Sequence, residues 1–305
     1  FCSLDLLLFF VFWEIEIIPM YFLISIWGSG RKEYSAIKYV IYTLFGSAFM
    51  LAGILSLYFT TGSLNMIDLA QNGLAAAVTA IPQAAIFFLL ITGFAIKLPV
   101  VPLHTWLPDA HTDAPTAGSV MLAGALIKMG GYGIIRICVG IFPQVARDYA
   151  PLLVILAVIS ALYGAVITLR QTDIKRMIAY SSVSHMGFVL IGIFALGQVS
   201  LTGATLQMVS HGLITGLLFA MAGLTIHNVG ERDLRKLGGL ARQMPIIAVV
   251  FSIAGLGALG LPSTSGFAAE FLVFIGSYSS TMVNGIQFYT ILMVLSVVLA
   301  AGYIL

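Results

Sequence analysis

Long apolar runs separated by short polar segments make up most of the chain. A helix needs about 20 mostly apolar residues to cross a bilayer, and the pattern predicts nine such helices. They lie at about 4–28, 35–60, 80–98 (interrupted, and continuing toward 113), 115–141, 151–170, 174–196, 200–228, 245–282 (interrupted near 261–266) and 286–305. Pro115, Pro151 and Pro245 mark predicted helix boundaries, as proline often does. The pattern therefore predicts an all-α integral membrane fold.

Two of the predicted helices are broken by proline. The first break reads IKLPVVPLHTWLPDAH, with Lys97 just before it, and the second reads GLPSTSGFAAEF, with Glu270 just after it. A broken helix leaves backbone groups that lipid cannot satisfy, so each break must face protein or a water-filled cavity. An ionisable side chain at membrane depth is costly and therefore indicates function. Two such breaks in corresponding positions are typical of a transport path.

Basic residues in the loops predict the orientation of the helices. The loops after predicted helices 1, 5 and 7 share one side of the membrane, and they carry Arg31, Lys32, Lys38, Arg170, Lys175, Arg176, Arg232, Arg235, Lys236 and Arg242. The opposite side carries Arg136 and Arg147. Because Lys and Arg gather on the inner side of a membrane, we expect the chain to start outside and to end inside.

The two breaks also indicate an internal repeat. They lie near residues 98 and 261 and are offset by about 165 residues, and the two broken helices run in opposite directions. We therefore expect one transmembrane domain over residues 1–305, made of two inverted five-helix repeats. The first repeat, at 1–141, is truncated, and the second lies at 151–305. The chain has no initiator Met and no leader pattern at its start, so we expect it to be a fragment of a longer protein.

Composition excludes a soluble domain. Hydrophobic residues make up 60% of the chain and charged residues 9%, whereas soluble domains carry about 25% charged residues. The net charge of +2 gives no indication of a nucleic-acid partner. Cys2 and Cys138 form no CxxC pair and suggest neither a disulfide framework nor a metal site.

Six ionisable side chains are expected at a similar depth in the bilayer, since each lies part-way along a predicted helix or beside a break. They are Glu14, Lys97, Lys128, His185, His211 and Glu270. A shared depth predicts a polar row along the membrane plane rather than a pore along its normal. Acid, base and imidazole alternate, and histidine titrates near neutral pH. Such a row can store and release protons as the charges of neighbours change.

Simpler roles stay open for several of these groups. Glu14 is alternatively a hydrogen-bond partner for a neighbouring helix, and Lys97 a lysine that reaches the membrane interface. His185 and His211 are alternatively core residues or the ligands of a haem. Glu16 faces roughly the opposite side of a regular helix from Glu14, and a packing role is at least as well supported for it.

Polar residues that follow the first break have two interpretations. Asp109, His111 and Asp113 lie toward the predicted inner side. They line a path for proton uptake, or they cap short helices.

Long motifs resemble a known family. WEIEIIPMYFLISIWG, KLPVVPLHTWLPDAHTDAPTAGSVMLAGALIKMGGYG, YSSVSHMGFVLIGI and GFAAEF are similar to the antiporter-like membrane subunits of respiratory complex I. The type most resembled is subunit M of bacteria, whose counterparts are chain 4 of mitochondria and the equivalent subunit of cyanobacteria and plastids. The resemblance implies a 14-helix parent protein. It also implies that Glu14 pairs with Lys97, and that the path continues through Lys128, His185 and His211 to Glu270.

The resemblance implies proton translocation coupled to electron transfer in partner subunits. This chain is then a non-redox subunit with no cofactor of its own, while NADH, flavin, iron–sulfur clusters and quinone belong to partners. Those partners include neighbouring antiporter-like subunits, and the chain is embedded in a bilayer. A bacterial plasma membrane is expected, with thylakoid and mitochondrial inner membranes as alternatives. The competing hypotheses are a subunit of a sodium/proton antiporter or of a membrane-bound hydrogenase, a stand-alone transporter and a haem-bearing electron carrier.

Overall fold

Helices joined by short loops form all of the regular structure in residues 1–72 and 81–279, which are the residues that the computed structural model describes. Extended structure within these residues is limited to two isolated bridges, Asp5–Asn65 and Asp173–Asp233. The predicted helix at 286–305 lies outside the described residues. The prediction of an all-α fold is confirmed for the part of the chain that is described.

Thirteen helices follow one another in the two described ranges. In chain order they are α1 Leu6–Ile15, α2 Ile17–Trp27, α3 Lys32–Thr61, α4 Met66–Asn72, α5 Gln83–Lys97, α6 Trp106–Asp113, α7 Thr116–Val139, α8 Pro143–Leu169, α9 Ile174–Phe194, α10 Gln198–Val229, α11 Leu240–Gln243, α12 Pro245–Ala258 and α13 Ser265–Tyr278. Six units are long and apolar enough to cross a membrane: α1 with α2, α3, α7, α8, α9 and α10.

The first membrane-spanning unit is interrupted at Glu16. Helix α1 ends at Ile15 and α2 begins at Ile17. Pro19 has no N–H, so it cannot donate to the carbonyl of Ile15 as a regular helix requires. The backbone N–H of Glu16 bonds to the carbonyl of Glu14 instead. Glu16 nevertheless keeps right-handed helical backbone angles, and buried Trp13, Ile17 and Met20 continue one helix face across the interruption.

Pro151 does not mark the start of a helix, as the sequence pattern suggested. Helix α8 begins at Pro143, and Pro151 lies inside it. Pro143 occupies the first turn, where the missing N–H costs little. A second proline is tolerated within a membrane helix because neighbouring groups satisfy the freed carbonyl.

Both predicted breaks are present. At the first, Trp106 Nε1 donates to the carbonyl of Ile96 at 2.9 Å, and Ser160 Oγ accepts from the N–H of Val101 at 2.8 Å. At the second, α12 ends at Ala258 and α13 begins at Ser265. Side chains from within the chain thus satisfy backbone groups that the first break releases from the helical ladder.

Close helix packing depends on small residues. Helices α8 and α9 approach at Gly164 and Gly187, where a Cβ would lie 2.6 Å from the backbone nitrogen of Ser184 and 2.7 Å from that of Ala161, respectively. Small residues allow such backbone contact in membranes. Helix α9 is therefore held tightly against α8.

Replacing Gly187 with Ala should destabilise the full-length protein. The added methyl group meets backbone atoms of α8 that cannot move aside, and we expect a loss of about 1–3 kcal/mol in the free energy of unfolding. Gly255→Ala is the matched control, because its Cβ meets nothing within 4 Å. Thermal unfolding of the purified proteins measures both. Equal midpoints for the two variants would contradict the packing account.

Replacing Trp106 with Phe should weaken the first break. The carbonyl of Ile96 loses its indole donor, and a buried unsatisfied carbonyl costs about 1–3 kcal/mol. Trp27→Phe is the control, since Trp27 is 63% exposed. The same unfolding measurement should show a lower midpoint for the Trp106 variant alone.

Candidate functional site

A buried ion pair lies at the first break. Lys97, the last residue of α5, is 1% exposed, and its Nζ bonds to Glu16 Oε1. The Tyr39 hydroxyl donates to Glu16 Oε2 at 3.2 Å and lies 3.5 Å from Lys97 Nζ. A buried charge is tolerated only when it is paired. The carboxylate, the ammonium and the phenol therefore form one polar cluster.

Aromatic rings surround the Lys97 ammonium. Its Nζ lies 5.6 Å from the ring centroid of Trp13 and 5.4 Å from that of Tyr39. Both distances fall within the range of cation–π attraction, about 6 Å. The rings stabilise the charge and keep lipid away from it.

Glu14 is not the ion-pair partner of Lys97, which corrects the expectation drawn from the resemblance. Its Oε1 is buried and has no hydrogen-bond partner among the described residues. The side chain lines an apolar groove with Ile18, Tyr21 and Val40. The physical reason is the helix face: Glu16 lies three residues after Trp13 and four before Met20, on the buried side of α1 and α2, and residues at these spacings share a face.

Sequence reasoning missed Glu16 and Tyr39. Glu16 was compared only with Glu14 and not with the other residues of its helix. The available signal was its spacing from Trp13 and Met20, which are buried, since residues three and four apart share a helix face. Nothing in the sequence pattern distinguished Tyr39 from the other tyrosines.

Lys128 lies in an irregular part of α7. Two π-helical segments, Leu122–Leu126 and Ile134–Val139, flank the α-helical turns that carry it. Its Nζ donates to the carbonyl of Ala123, within the first π-helical segment, and lies 2.8 Å from His211 Nδ1. Such π-helical insertions are frequent at functional sites. An ammonium can only donate, so a protonated Lys128 requires Nδ1 of His211 to accept, and a neutral His211 then carries its proton on Nε2.

A second set of contacts continues from His211 to Glu270. The rings of His185 and His211 are 5.3 Å apart. His185 Nδ1 lies 3.4 Å from Glu270 Oε1. Gln207 Nε2 lies 3.4 Å from each of these two atoms. Lys128, His211, His185 and Glu270 therefore form a continuous series of neighbouring titratable groups.

A small cavity borders this series. His185, Gln207, His211, Thr215 and Glu270 contribute to its wall. Its volume of about 10 Å³ is close to the minimum for one water molecule. A polar cavity of this size can support hydrogen bonding between groups that are not in direct contact.

Glu270 approaches the second break because of a glycine. Gly260 has a φ of +63°, and a Cβ there would lie 2.6 Å from Glu270 Oε2. A larger residue would displace the carboxylate and strain the backbone. The break therefore provides the space in which Glu270 sits.

Lys97 and Lys128 are close in the fold but are not hydrogen-bonded to each other. Helices α5 and α7 pack backbone to backbone, since a Cβ on Gly130 would lie 2.6 Å from the carbonyl oxygen of Phe94. The partners of Lys97 are Glu16 and Tyr39, whereas Lys128 contacts Ala123 and His211. The predicted row therefore consists of two clusters, one at each lysine.

The polar residues after the first break have separate partners. Asp109 pairs with Lys38 at 2.7 Å and with Arg176 at 3.4 Å. Asp113 Oδ2 accepts from Ser35 Oγ at 2.6 Å. The N-terminal caps of α6 and α7 are Thr105 and Pro115, so neither aspartate caps these helices.

His111 is fully buried in α6. Its ring stacks on Phe219 of α10 with centroids 4.6 Å apart. Neither ring nitrogen has a hydrogen-bond partner among the described residues. A buried imidazole in this state is a titratable group for which packing alone gives no reason.

Donors from three other elements hold the end of α6. Arg232 Nη2 bonds to the carbonyl of Thr112, the N–H of Ser29 donates to Asp113 O at 2.8 Å, and Lys175 Nζ donates to Ala114 O at 2.7 Å. Cations near a helix C-terminus are favourable. The second half of the broken helix is therefore anchored at its C-terminal end.

Comparison with known proteins gives a consistent result. The sequence model of the family described as "NADH:quinone oxidoreductase/Mrp antiporter, TM" matches residues 3–296. NADH-quinone oxidoreductase subunit M of Rickettsia prowazekii is 41% identical over 305 residues, which are all of this chain and 61% of that protein. The chain thus spans about three fifths of the length of this relative.

Solved structures share the fold. A chain of respiratory complex I from Thermus thermophilus with bound NADH superposes with a TM-score of 0.88 and 31% identity, over 99% of this chain and 63% of that one. A chain of the Mrp complex from Dietzia sp. gives 0.85 and 28%, over 98% and 56%. The family match covers more than half of the chain. This chain therefore belongs to the NADH:quinone oxidoreductase/Mrp antiporter transmembrane family.

Proposed function

We propose that this chain translocates protons across a membrane as part of a subunit of a proton-pumping NADH (or other donor):quinone oxidoreductase. The observation that supports the proposal most strongly is the series of buried neighbours from Lys128 through His211 and His185 to Glu270. Buried titratable groups in mutual contact are the components of a proton relay. The relatives that match over the whole chain carry the name of such an oxidoreductase.

The cycle begins at Lys97. Its ion pair with Glu16 stabilises the ammonium, and opening that pair removes the stabilisation. A lysine in an apolar site without a carboxylate neighbour loses its proton more readily. Opening the pair therefore favours proton release from Lys97 toward Lys128.

Transfer then follows the second cluster. Lys128 passes a proton to His211, which exchanges with His185, and Glu270 receives it at 3.4 Å from His185. The step from Lys97 to Lys128 lacks a direct hydrogen bond and needs a bridging water. Asp109, His111 and Asp113 form the uptake side, and His111 connects it to the buried part of the path. Glu14 is the last member of the path and lies where it borders the apolar groove.

The membrane organisation is part of the same proposal. The described helices, the two breaks of opposite direction and the predicted last segment form nine spanning helices in two inverted repeats, at 1–141 and 151–305. Basic loops place the start of the chain outside and its end inside. The membrane is a bacterial plasma membrane. NADH, flavin, iron–sulfur clusters and quinone belong to partner subunits, and this chain has no redox role.

A cation antiporter is the second candidate, and the similarity to a chain of the Mrp complex favours it. Both functions use a titratable row, so the coupling ion separates them. Proton uptake by vesicles in the absence of sodium supports the first function. Uptake that depends on sodium, without electron transfer, supports the second.

Lys97→Ala should abolish pumping in the full-length protein within its complex. Loss of a proton-transfer group lowers a rate by about 100-fold or more, while assembly should persist because Glu16 keeps Tyr39 as a partner. Lys236→Ala is the control, since Lys236 pairs with Glu231 and is 66% exposed. Acidification of vesicles during electron transfer measures pumping. Normal pumping by the assembled Lys97 variant would refute the mechanism.

Labelling of single cysteines tests the orientation. In a Cys2→Ser background, Lys236→Cys places a thiol in the connection between α10 and α11, and Arg147→Cys places one on the exposed side of the start of α8, on the opposite predicted side of the membrane. An impermeant maleimide added to intact cells should label the Arg147 position and leave the Lys236 position unlabelled until the membrane is opened. The reverse pattern would invert the proposed topology.

A further inference from the structure

We propose that Glu16 is the acid that forms and breaks the working ion pair with Lys97 in this chain, and that Tyr39 is the residue that positions its carboxylate. This inference rests on the proposed function, because it specifies which acid the proton path uses. Lys97 pairs with Glu16 rather than with Glu14, to which the family resemblance assigns this role.

The contacts of the two glutamates differ. Glu16 Oε1 bonds to Lys97 Nζ, and Glu16 Oε2 accepts from the Tyr39 hydroxyl at 3.2 Å. Glu14 makes neither contact, and its Oε1 has no hydrogen-bond partner among the described residues. A buried carboxylate with two donors is strongly favoured over one with none. Glu16 is therefore the carboxylate that pairs with the Lys97 ammonium in this conformation.

Tyr39 connects the ion pair of Glu16 and Lys97 to the first break. It is fully buried, and its ring lies 5.5 Å from that of Trp106, the first residue of α6. Trp106 in turn donates to the carbonyl of Ile96, which precedes Lys97. A shift of α6 relative to α5 thus moves Tyr39, and with it the hydrogen bond to Glu16. Tyr39 is therefore suited to transmit a change at the break to the ion pair.

The buried face of α1 and α2 selects between the two acids. On a regular helix, residues two apart point in nearly opposite directions, so one lysine reaches only one of them. Trp13, Ile17 and Met20 are buried, and Glu16 lies three residues after Trp13 and four before Met20. Glu16 therefore shares the face that packs against the rest of the chain, where Lys97 lies.

Glu16→Gln in the full-length protein within its complex tests the assignment. The amide keeps the shape and the Tyr39 hydrogen bond but loses the charge, so pumping per electron transferred should fall about tenfold or more, the scale of one neighbouring carboxylate. Glu33→Gln is the matched control, because Glu33 is an exposed acid in the first turn of α3. Full pumping by Glu16→Gln alongside loss of pumping by Lys97→Ala would overturn the inference and leave the proposed function intact. Full pumping by both would refute the proposed function itself.

The role of Tyr39 is tested by combining variants. Tyr39→Phe should lower pumping on its own and should have no further effect when Glu16 is already Gln, since it acts through Glu16. Tyr42→Phe is the control, because Tyr42 lies on the same helix and bonds to Thr105 instead. Additive losses in the double variant would assign Tyr39 a structural role only and overturn this part of the proposal.

If the Glu16→Gln variant does not assemble, a double variant still tests the ion pair. Removing one partner of a buried ion pair leaves an isolated charge, whereas removing both does not. Glu16→Gln combined with Lys97→Gln should then restore assembly. A double variant that stays unassembled would overturn the pairing.

Discussion

Lipid cannot pair with a charge or with a free backbone group, and this constraint shapes the first break more than any other part of the molecule. The break releases the Ile96 carbonyl and the Val101 amide, and it leaves the Lys97 ammonium inside the bilayer. The Ile96 carbonyl bonds to Trp106, the Val101 amide to Ser160 and the Lys97 ammonium to Glu16. The side chains that keep the break intact are therefore also those that form the candidate site. Satisfaction of the backbone and pairing of the buried charge depend on the same few contacts.

The second break meets the constraint in a different way. Gly260 leaves room for the Glu270 carboxylate, whose partners are His185 and Gln207 rather than a permanent cation. Lys97 is paired with an opposite charge, whereas Glu270 is hydrogen-bonded to groups that are neutral or only become charged on protonation. The titratable groups at the two breaks therefore lie in chemically distinct surroundings.

Anchoring at its C-terminal end explains how the short helix α6 keeps its place. Three carbonyls at the end of α6 bond to Arg232, to Ser29 and to Lys175, which belong to three different parts of the chain. Asp109 and Asp113 add contacts to α3. The C-terminal end of α6 is thus fixed, while its N-terminal end carries Trp106 and borders the site.

Local patterns in the sequence determined the class of protein, the positions of most helices and both breaks, because apolar length and proline act on the backbone wherever they occur. They also identified Lys97, Lys128, His185 and His211 as buried ionisable groups, since charge is rare in this chain, but they counted the buried Lys175 among the loop cations. These local patterns could not predict the hydrogen-bond partner of each ionisable group. Lys128 meets His211 across 83 residues of sequence, and the choice of Glu16 over Glu14 depends on Lys97 and Tyr39 from two other helices. Only the tertiary structure decides such pairings, because a hydrogen bond depends on the distance between side chains of separate helices, which helix-by-helix periodicity does not contain.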